Sequence, residues 1–203
     1  MKLLRVMSLL AVVSMAALLL MVRTQPAKGQ AADQRQNAAT QMKNGNWKEA
    51  YDAFAKLARD PATDPAKAGE DLSNAVSCMQ RLGDLTGFDA LVEDAVAAQP
   101  KNWRLLQSAA NAYFNIDHGG FMIAGKFERG QHRGGGKYVY AFARDRVRGL
   151  QLMSQAIANC GQAMNAEQAN LHFQFAEMLL GQRYGRGGWQ LQVLTDLSTL
   201  PDY

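Results

Sequence analysis

Two stretches of the chain repeat the same spacing of apolar residues, and this register constrains the fold more than any single residue does. The repeated positions follow the spacing i, i+3, i+4, i+7, and they are Leu72, Ala75, Val76 and Met79 in the first stretch and Leu106, Ala109, Ala110 and Tyr113 in the second. Such spacing places side chains on one face of an α-helix. Between the stretches, Gly83, Asp84, Ala95 and Pro100 indicate a turn, a second helix and a stop. The chain is therefore predicted to form helical hairpins that recur about every 34 residues.

The same pattern extends to both sides of these stretches. A polar Ala/Gln-rich segment, Ala31 to Lys43, predicts a capping helix with a thin apolar face. The second helix of a first unit is predicted from Trp47, Ala50, Phe54 and Leu57, with Pro61 closing it. A fourth unit is predicted from Leu171, Phe175, Met178 and Leu179, followed by Trp189, Val193 and Leu197.

The third unit is predicted to be split by an insertion. Its first helix runs from Trp103 to about Ile116, and its second helix resumes around Tyr138 to Asn159. Residues 117–137 lie between them and contain seven glycines. We expect an ordered or mobile loop here, and nearly all ordered structure after Gln30 to be helix, with no more than a stray pair of strands.

This register resembles the tetratricopeptide superfamily over about residues 41–200. The resemblance implies an all-α fold of stacked antiparallel helical hairpins, a TPR-like α-solenoid with a Gly-rich basic insertion at 117–137. It also implies a non-enzymatic scaffold whose concave face, lined by first-helix side chains, binds a peptide segment or a protein domain. No polar terminal helix follows Leu200, so one interpretation is that the repeat domain, residues 32–203, is truncated at its C-terminus.

A narrower resemblance rests on two blocks, AGKFERGQHRGGGK at 124–137 and ARDRVRGLQLM at 143–153. They resemble the N-terminal helical region of large exported alpha-2-macroglobulin-like proteins of planctomycete-type bacteria. This resemblance implies macroglobulin or protease-trapping domains downstream, which makes domains of the same polypeptide a second kind of partner. The Cys-Gly-Glu-Gln thioester motif of that superfamily is absent, because Cys78 precedes Met-Gln and Cys160 precedes Gly-Gln-Ala. No inhibitor residue is therefore carried over.

Residues 1–31 have the pattern of a targeting segment. Lys2 and Arg5 precede the uncharged run Val6–Val22, and a small, polar stretch ending at Ala31 follows it. This order is typical of a secretory signal peptide. Because a membrane span needs about 17 to 25 apolar residues, an uncleaved anchor through residues 6–22 is the alternative. Both interpretations predict an exported protein of the periplasm or cell envelope.

The formal net charge of +4 comes from this segment. It holds four basic residues and no acid, so residues 32–203 carry 18 basic and 18 acidic side chains. Basicity therefore gives no support to nucleic-acid binding, and no nucleic-acid partner is expected. Charge is instead segregated, because residues 118–148 hold seven basic side chains against only Glu128 and Asp145.

The basic segment supplies the candidate contact residues, which are Lys126, Arg129, His132, Arg133 and Lys137. The alternative function is an anion-binding module in which Lys126, Arg129, Arg133 and Lys137 hold an acidic surface polymer or a phosphate group. A nucleotide-binding loop is not indicated, because Gly130 precedes Gly136 by one residue too many for Gly-x4-Gly-Lys and Tyr138 stands where Ser or Thr holds magnesium.

Two further expectations concern the insertion. We expect Arg129, Arg133 and Lys137 to be surface cations whose replacement by Ala changes the free energy of unfolding by less than about 0.5 kcal/mol per site. Phe121 and Ile123 are too apolar for a solvated linker, so we expect part of the insertion to pack on the hairpins.

Metal and catalytic motifs are weak or absent. His118 and His132 could approach each other with Asp117, but no metal-ligand spacing such as Cys-x-x-Cys is present. We expect no enzymatic activity, no metal and no cofactor. Cys78 and Cys160 permit one disulfide in an exported chain. The alternative, which we favour, is two buried helix residues, since helices of separate hairpins seldom bring Cα atoms within about 7 Å.

Overall fold

The computed structural model describes residues 26–131, 133–161, 165–180 and 196–203. Within this part of the chain, seven helices and three strands follow one another. The helices are α1 (Pro26–Lys43), α2 (Trp47–Arg59), α3 (Ala68–Leu82), α4 (Phe88–Ala98), α5 (Trp103–Asn115), α6 (Phe142–Asn159) and α7 (Asn165–Leu180). The strands are β1 (Gly119–Ile123), β2 (Lys126–Arg129) and β3 (Lys137–Tyr140).

The helix ends follow from local chemistry. The side chain of Asn102 accepts a hydrogen bond from the Leu105 amide at 3.4 Å, which caps the N-terminus of α5. Gly83 ends α3 in the left-handed region, with φ of 69°, where glycine carries no steric penalty. The predicted start of α5 at Trp103 and the predicted turn at Gly83 after α3 are confirmed.

The helices pack both on their sequence neighbours and on alternate helices. α1 lies on α2 and α2 on α3, and α6 joins α5 to α7. In addition, α3 contacts α5 and α2 contacts α4. This arrangement is a predominantly helical bundle and is compatible with a helical-repeat fold.

The core is formed by the predicted apolar positions. All eight residues of the two repeated stretches are buried, and so are Phe54, Leu57, Ala95, Leu171 and Met178. In the fourth unit, Phe175 and Leu179 are partly buried against the core. Trp189 and Val193 lie outside the described residues, whereas Leu197 is described and packs on the core.

The insertion is an antiparallel three-stranded sheet of order β2-β1-β3, so the prediction of a loop with no more than a pair of strands is wrong. β1 and β2 are joined by Ala124 and Gly125, whose φ angles are 49° and 81°. Positive φ at both positions is typical of the type I′ hairpin turn. An Ala-Gly pair is a weak signal for this turn because Ala rarely adopts positive φ, which explains why the hairpin was missed.

The second helix of the third unit also begins later than predicted. Tyr138 lies on β3, and the helix starts at Phe142. The physical reason is pairing with β1, since Phe121 lies opposite Tyr138 and Gly119 lies opposite Tyr140.

The segment 196–203 returns to the sheet and to α6. Arg144 donates a hydrogen bond to the Pro201 carbonyl at 2.7 Å, and its guanidinium lies 4.3 Å from the Tyr203 ring centroid. On its other side Tyr203 stacks on Phe127 of β2, with ring centroids 4.4 Å apart. Among the described residues, no helix combines the length and the apolar character that crossing a bilayer requires. The apolar run at residues 6–22 lies outside them.

Candidate functional site

The sheet does not gather the predicted contact residues on one surface. In the register of the sheet, Lys126 lies opposite Ile123 and Lys137 lies opposite Met122. Because paired residues point to the same side and successive residues to opposite sides, Lys126 and Lys137 project from opposite faces. Arg133 is exposed in the connection between β2 and β3, and His132 lies outside the described residues.

Arg129 is not a surface cation, so that expectation is wrong. Its side chain is 0% exposed and forms two ion pairs, one with Asp89 in the first turn of α4 and one with Asp145 in the first turn of α6. Nε and Nη2 donate to the two Asp89 oxygens at 3.0 and 2.8 Å, and Nη1 and Nη2 donate to Asp145 at 2.8 and 2.9 Å. Nη1 also donates to the Asp117 carbonyl at 3.0 Å.

These contacts use all five N–H donors of the guanidinium. Burial by itself lowers the pKa of Arg129, but the hydrogen bonds to Asp145 and Asp89 outweigh it, and the net pKa is raised. The rings of Phe88 and Phe127 lie 5.1 and 5.3 Å from the charge. Arg129 therefore joins the sheet to two helices and has no donor left for an external anion.

His118 completes this buried cluster. Its Nδ1 lies 2.7 Å from the Asp145 carboxylate, and its ring is nearly perpendicular to the rings of Tyr140 and Phe142. A His–Asp pair can act as a base toward a nucleophile. In the described part of the chain, no hydroxyl or thiol hydrogen-bonds to His118, and the pair links the residue before β1 to the first turn of α6. No group of three or more His, Cys, Asp or Glu residues suited to a metal is found among the described residues.

A concave groove lies between α3, α5 and α7. Its cavity of about 340 Å³ is lined by Ala66, Gly69, Glu70, Trp103, Arg104, Gln107, Ser108, Glu167 and Asn170. A second cavity of about 480 Å³ shares Ala66, Trp103 and Arg104 with the first and extends to Pro65 and residues 99–102. We call the two cavities together the first-helix groove, since α3, α5 and α7 are first helices of the predicted hairpins.

Trp103 and Arg104 form the centre of the first-helix groove. The Arg104 guanidinium lies 4.1 Å from the Trp103 ring centroid, and its Nη2 donates to Glu167 of α7 at 2.6 Å. Both members of this ion pair are more than a third exposed, so water reaches the charges. The groove is therefore built around a partly exposed aromatic ring with both signs of charge beside it.

α3 and α5 approach closely at Gly69, which lines the groove. A Cβ at Gly69 would lie 2.6 Å from the Arg104 carbonyl oxygen and 2.7 Å from Ser108 Oγ. α7 is held to α5 by carboxamides, with Gln107 donating to the Gln174 side chain at 3.0 Å and Asn111 at 3.4 Å. These contacts place polar side chains of α5 and α7 along one groove.

Sequence reasoning predicted a concave face lined by first-helix side chains, but it identified neither the residues that line these cavities nor the partners of Arg129. A partial signal was present for Asp145, which is one of only two acids in the basic segment 118–148. A signal was also present for Trp103, a large aromatic residue at the first position of a predicted helix. The two cysteines, Cys78 and Cys160, are free and buried, and burial raises the pKa of the Cys78 thiol.

No protein-family model, curated protein or solved structure matches the chain.

Proposed function

We propose that the chain is a non-enzymatic scaffold whose helices stack as a TPR-like solenoid and whose first-helix groove binds an extended segment of a protein. The observation that carries this proposal is the partly exposed Trp103 with Arg104 over its ring, placed between two cavities. Trp and Arg are among the residues that most often dominate the binding energy of protein interfaces.

The lining of the groove suits a peptide backbone. Gln107, Ser108 and Asn170 offer donors and acceptors at intervals along the groove. Cavities of about 300 to 1,000 Å³ are typical of sites that enclose a small ligand or a few side chains. An extended segment therefore gains apolar contact at Trp103 and hydrogen bonds on both sides of it.

The chain offers a matched control for this proposal. Trp47 is the first residue of α2, as Trp103 is of α5, and both rings are partly buried with an arginine over the face. Trp47 does not line the first-helix groove. Replacing either Trp by Ala removes a similar ring, but only Trp103→Ala alters the groove.

The test begins with selection of binders to the chain from a displayed library of random peptides. We expect the affinity of selected peptides, measured by fluorescence anisotropy, to fall at least tenfold in Trp103→Ala and to stay within about twofold in Trp47→Ala. Circular dichroism shows whether both variants keep the helical fold. Selected peptides that bind Trp103→Ala as tightly as the original chain would contradict the proposal.

Anion binding through the insertion is the competing proposal, and it now depends on Lys126, Arg133 and Lys137 without Arg129. Polyphosphate is a direct probe. Binding that weakens with salt and disappears when these three residues are replaced by Ala would favour anion capture over the scaffold proposal.

We also propose that the protein is exported and is a module of an alpha-2-macroglobulin-like protein. The support is the targeting pattern of residues 1–31 and the resemblance of residues 124–137 and 143–153. Expression in a Gram-negative host followed by fractionation and intact-mass measurement tests export. A chain beginning near residue 32 in the periplasm supports a cleaved signal, an uncleaved chain in the membrane fraction supports an anchor, and an uncleaved cytosolic chain contradicts export.

A further inference from the structure

β3 is an edge strand of the three-stranded sheet. The Ala141 amide donates to the His118 carbonyl at 2.8 Å, so the backbone groups of residues 137, 139 and 141 face β1. Because these groups alternate in direction along an antiparallel strand, the N–H and C=O groups of Tyr138 and Tyr140 point away from the sheet. No hydrogen bond among the described residues uses them. β3 therefore presents four main-chain groups to a further strand.

The same strand carries exposed aromatic rings. Tyr138 and Tyr140 are 58% and 62% exposed and lie on one face of the sheet, the face opposite Arg129. Phe142 is 41% exposed and stacks on Tyr140, with ring centroids 6.2 Å apart. Edge strands are usually protected by charges, proline or a covering element. β3 has a single charge, Lys137, at its first position and no proline.

We propose that β3 pairs antiparallel with β3 of a second copy of the chain, centred on Val139, to form a continuous six-stranded sheet. In this register Tyr138 lies opposite Tyr140 of the second copy, and Tyr140 lies opposite Tyr138 of the second copy. Each of these two residue pairs exchanges two main-chain hydrogen bonds, which satisfies every outward backbone group of both strands.

The self-complementary chemistry of β3 favours a second copy as the occupant. Residues that lie opposite each other in this register project from the same face of the sheet. The tyrosines therefore meet as aromatic cross-strand pairs, which stabilise sheets. Lys137 lies opposite Ala141 of the second copy, so no like charges meet directly. Net charge does not oppose association, because residues 32–203 carry equal numbers of basic and acidic side chains.

A register shifted by two residues toward the N-terminus of β3 fits less well. It would place Tyr138 opposite Tyr138 of the second copy and Tyr140 opposite Gly136 of the second copy. Gly136 has a φ of 141°, outside the strand. The Val139-centred register uses only residues that are already extended or directly follow the strand.

The edge is short, so the dimer is weak. Standard interfaces bury about 1,200 to 2,000 Å², more than a four-residue strand and its rings supply. We expect a dissociation constant between about 1 µM and about 1 mM, measured by sedimentation equilibrium of the chain. A chain that stays monomeric up to about 1 mM overturns the proposal.

Charge substitution at the two tyrosines tests the register. In the variant Tyr138→Lys/Tyr140→Lys, lysines lie opposite each other twice, and we expect at least a tenfold weaker dimer than in the matched variant Tyr138→Glu/Tyr140→Lys, where Glu lies opposite Lys twice. Both variants lose the same rings and gain charges at the same exposed positions. Equal association of the two variants would overturn the Val139-centred pairing.

A measurement on the unmodified chain guards against misfolded variants. Amide hydrogen exchange at Tyr138 and Tyr140 should slow as protein concentration rises, because dimer formation covers these N–H groups. The Phe127 amide, which faces the other edge of the sheet, is the internal control and should not respond. Protection of Tyr138 and Tyr140 that does not change with concentration would contradict the dimer.

Discussion

Arg129 of β2 and Asp145 in the first turn of α6 form a buried ion pair in which both carboxylate oxygens accept from the guanidinium, at 2.8 and 2.9 Å. The Arg129 side chain is 0% exposed and the Asp145 side chain 2%. Removing one partner of a buried pair leaves the other charge desolvated without compensation. The pair therefore connects β2 of the insertion sheet to the first turn of α6.

Arg129→Ala should lower the free energy of unfolding by about 3–5 kcal/mol, because it removes the cation that pairs with the buried Asp145 carboxylate and leaves that carboxylate only its contact with His118. Urea unfolding followed by circular dichroism measures the change. Arg133→Ala removes an exposed arginine four residues away and should change the same quantity by less than about 0.5 kcal/mol. Arg129→Lys should also destabilise, since an ammonium lacks the planar fork that serves two carboxylates. Similar urea midpoints for Arg129→Ala and Arg133→Ala would show that the buried cluster does not form.

Ala95→Leu should destabilise the protein by about 1 to 3 kcal/mol through overpacking. Ala95 is 0% exposed within α4, whereas Ala97, two residues later, is exposed. The same substitution at Ala97 should have little effect on the urea midpoint. Equal midpoints for the two variants would mean that the face of α4 is assigned incorrectly.

Gly69→Ala should destabilise by about 1 to 3 kcal/mol, although Ala is the better helix former, because its Cβ meets the Arg104 carbonyl where α3 and α5 approach. Gln80→Ala, at an exposed position of the same helix, is the control. It should change the free energy of unfolding by less than about 0.5 kcal/mol. Thermal unfolding distinguishes the two, and a stabilised Gly69→Ala variant would contradict the close approach.

Acidification should weaken the contact between α4 and its neighbours through Glu93. Burial alone raises the pKa of Glu93, but hydrogen bonds from Arg148 and Tyr113 outweigh it, so the pKa lies below its usual 4.5. A carboxylate with a lowered folded-state pKa stabilises the protein above about pH 4.5, and this contribution is lost as the pH falls through the folded-state pKa.

Glu93→Gln should therefore lose less stability than the original chain between pH 7 and pH 3, as measured by urea unfolding at each pH. Glu49→Gln, at an exposed position of α2, is the control and should follow the original chain. A Glu93→Gln variant with the same pH dependence as the original chain would contradict the role of this carboxylate.

The helices whose apolar faces are regular were predictable from the sequence. Leu72, Ala75, Val76 and Met79 specify the buried face of α3 because helical spacing is a local property of a few turns. Gly83 specified the end of that helix for an equally local reason. The thin apolar face predicted for the capping helix corresponds to Ala31 and Ala38, which are buried.

The sheet and the two sites depended on contacts between distant residues. Sequence alone showed Arg129 as one cation among seven, but its partners, Asp89 and Asp145, lie 40 and 16 residues away. The sequence around a charged residue carries no periodic signal for the environment of its side chain. Only the tertiary structure determines whether that side chain is solvated or buried against a carboxylate. The groove at Trp103 likewise needs α7 to supply Glu167, which lies 63 residues from Arg104. The sequence by itself determined the local helices through side-chain periodicity, and the tertiary structure decided which charges and rings meet.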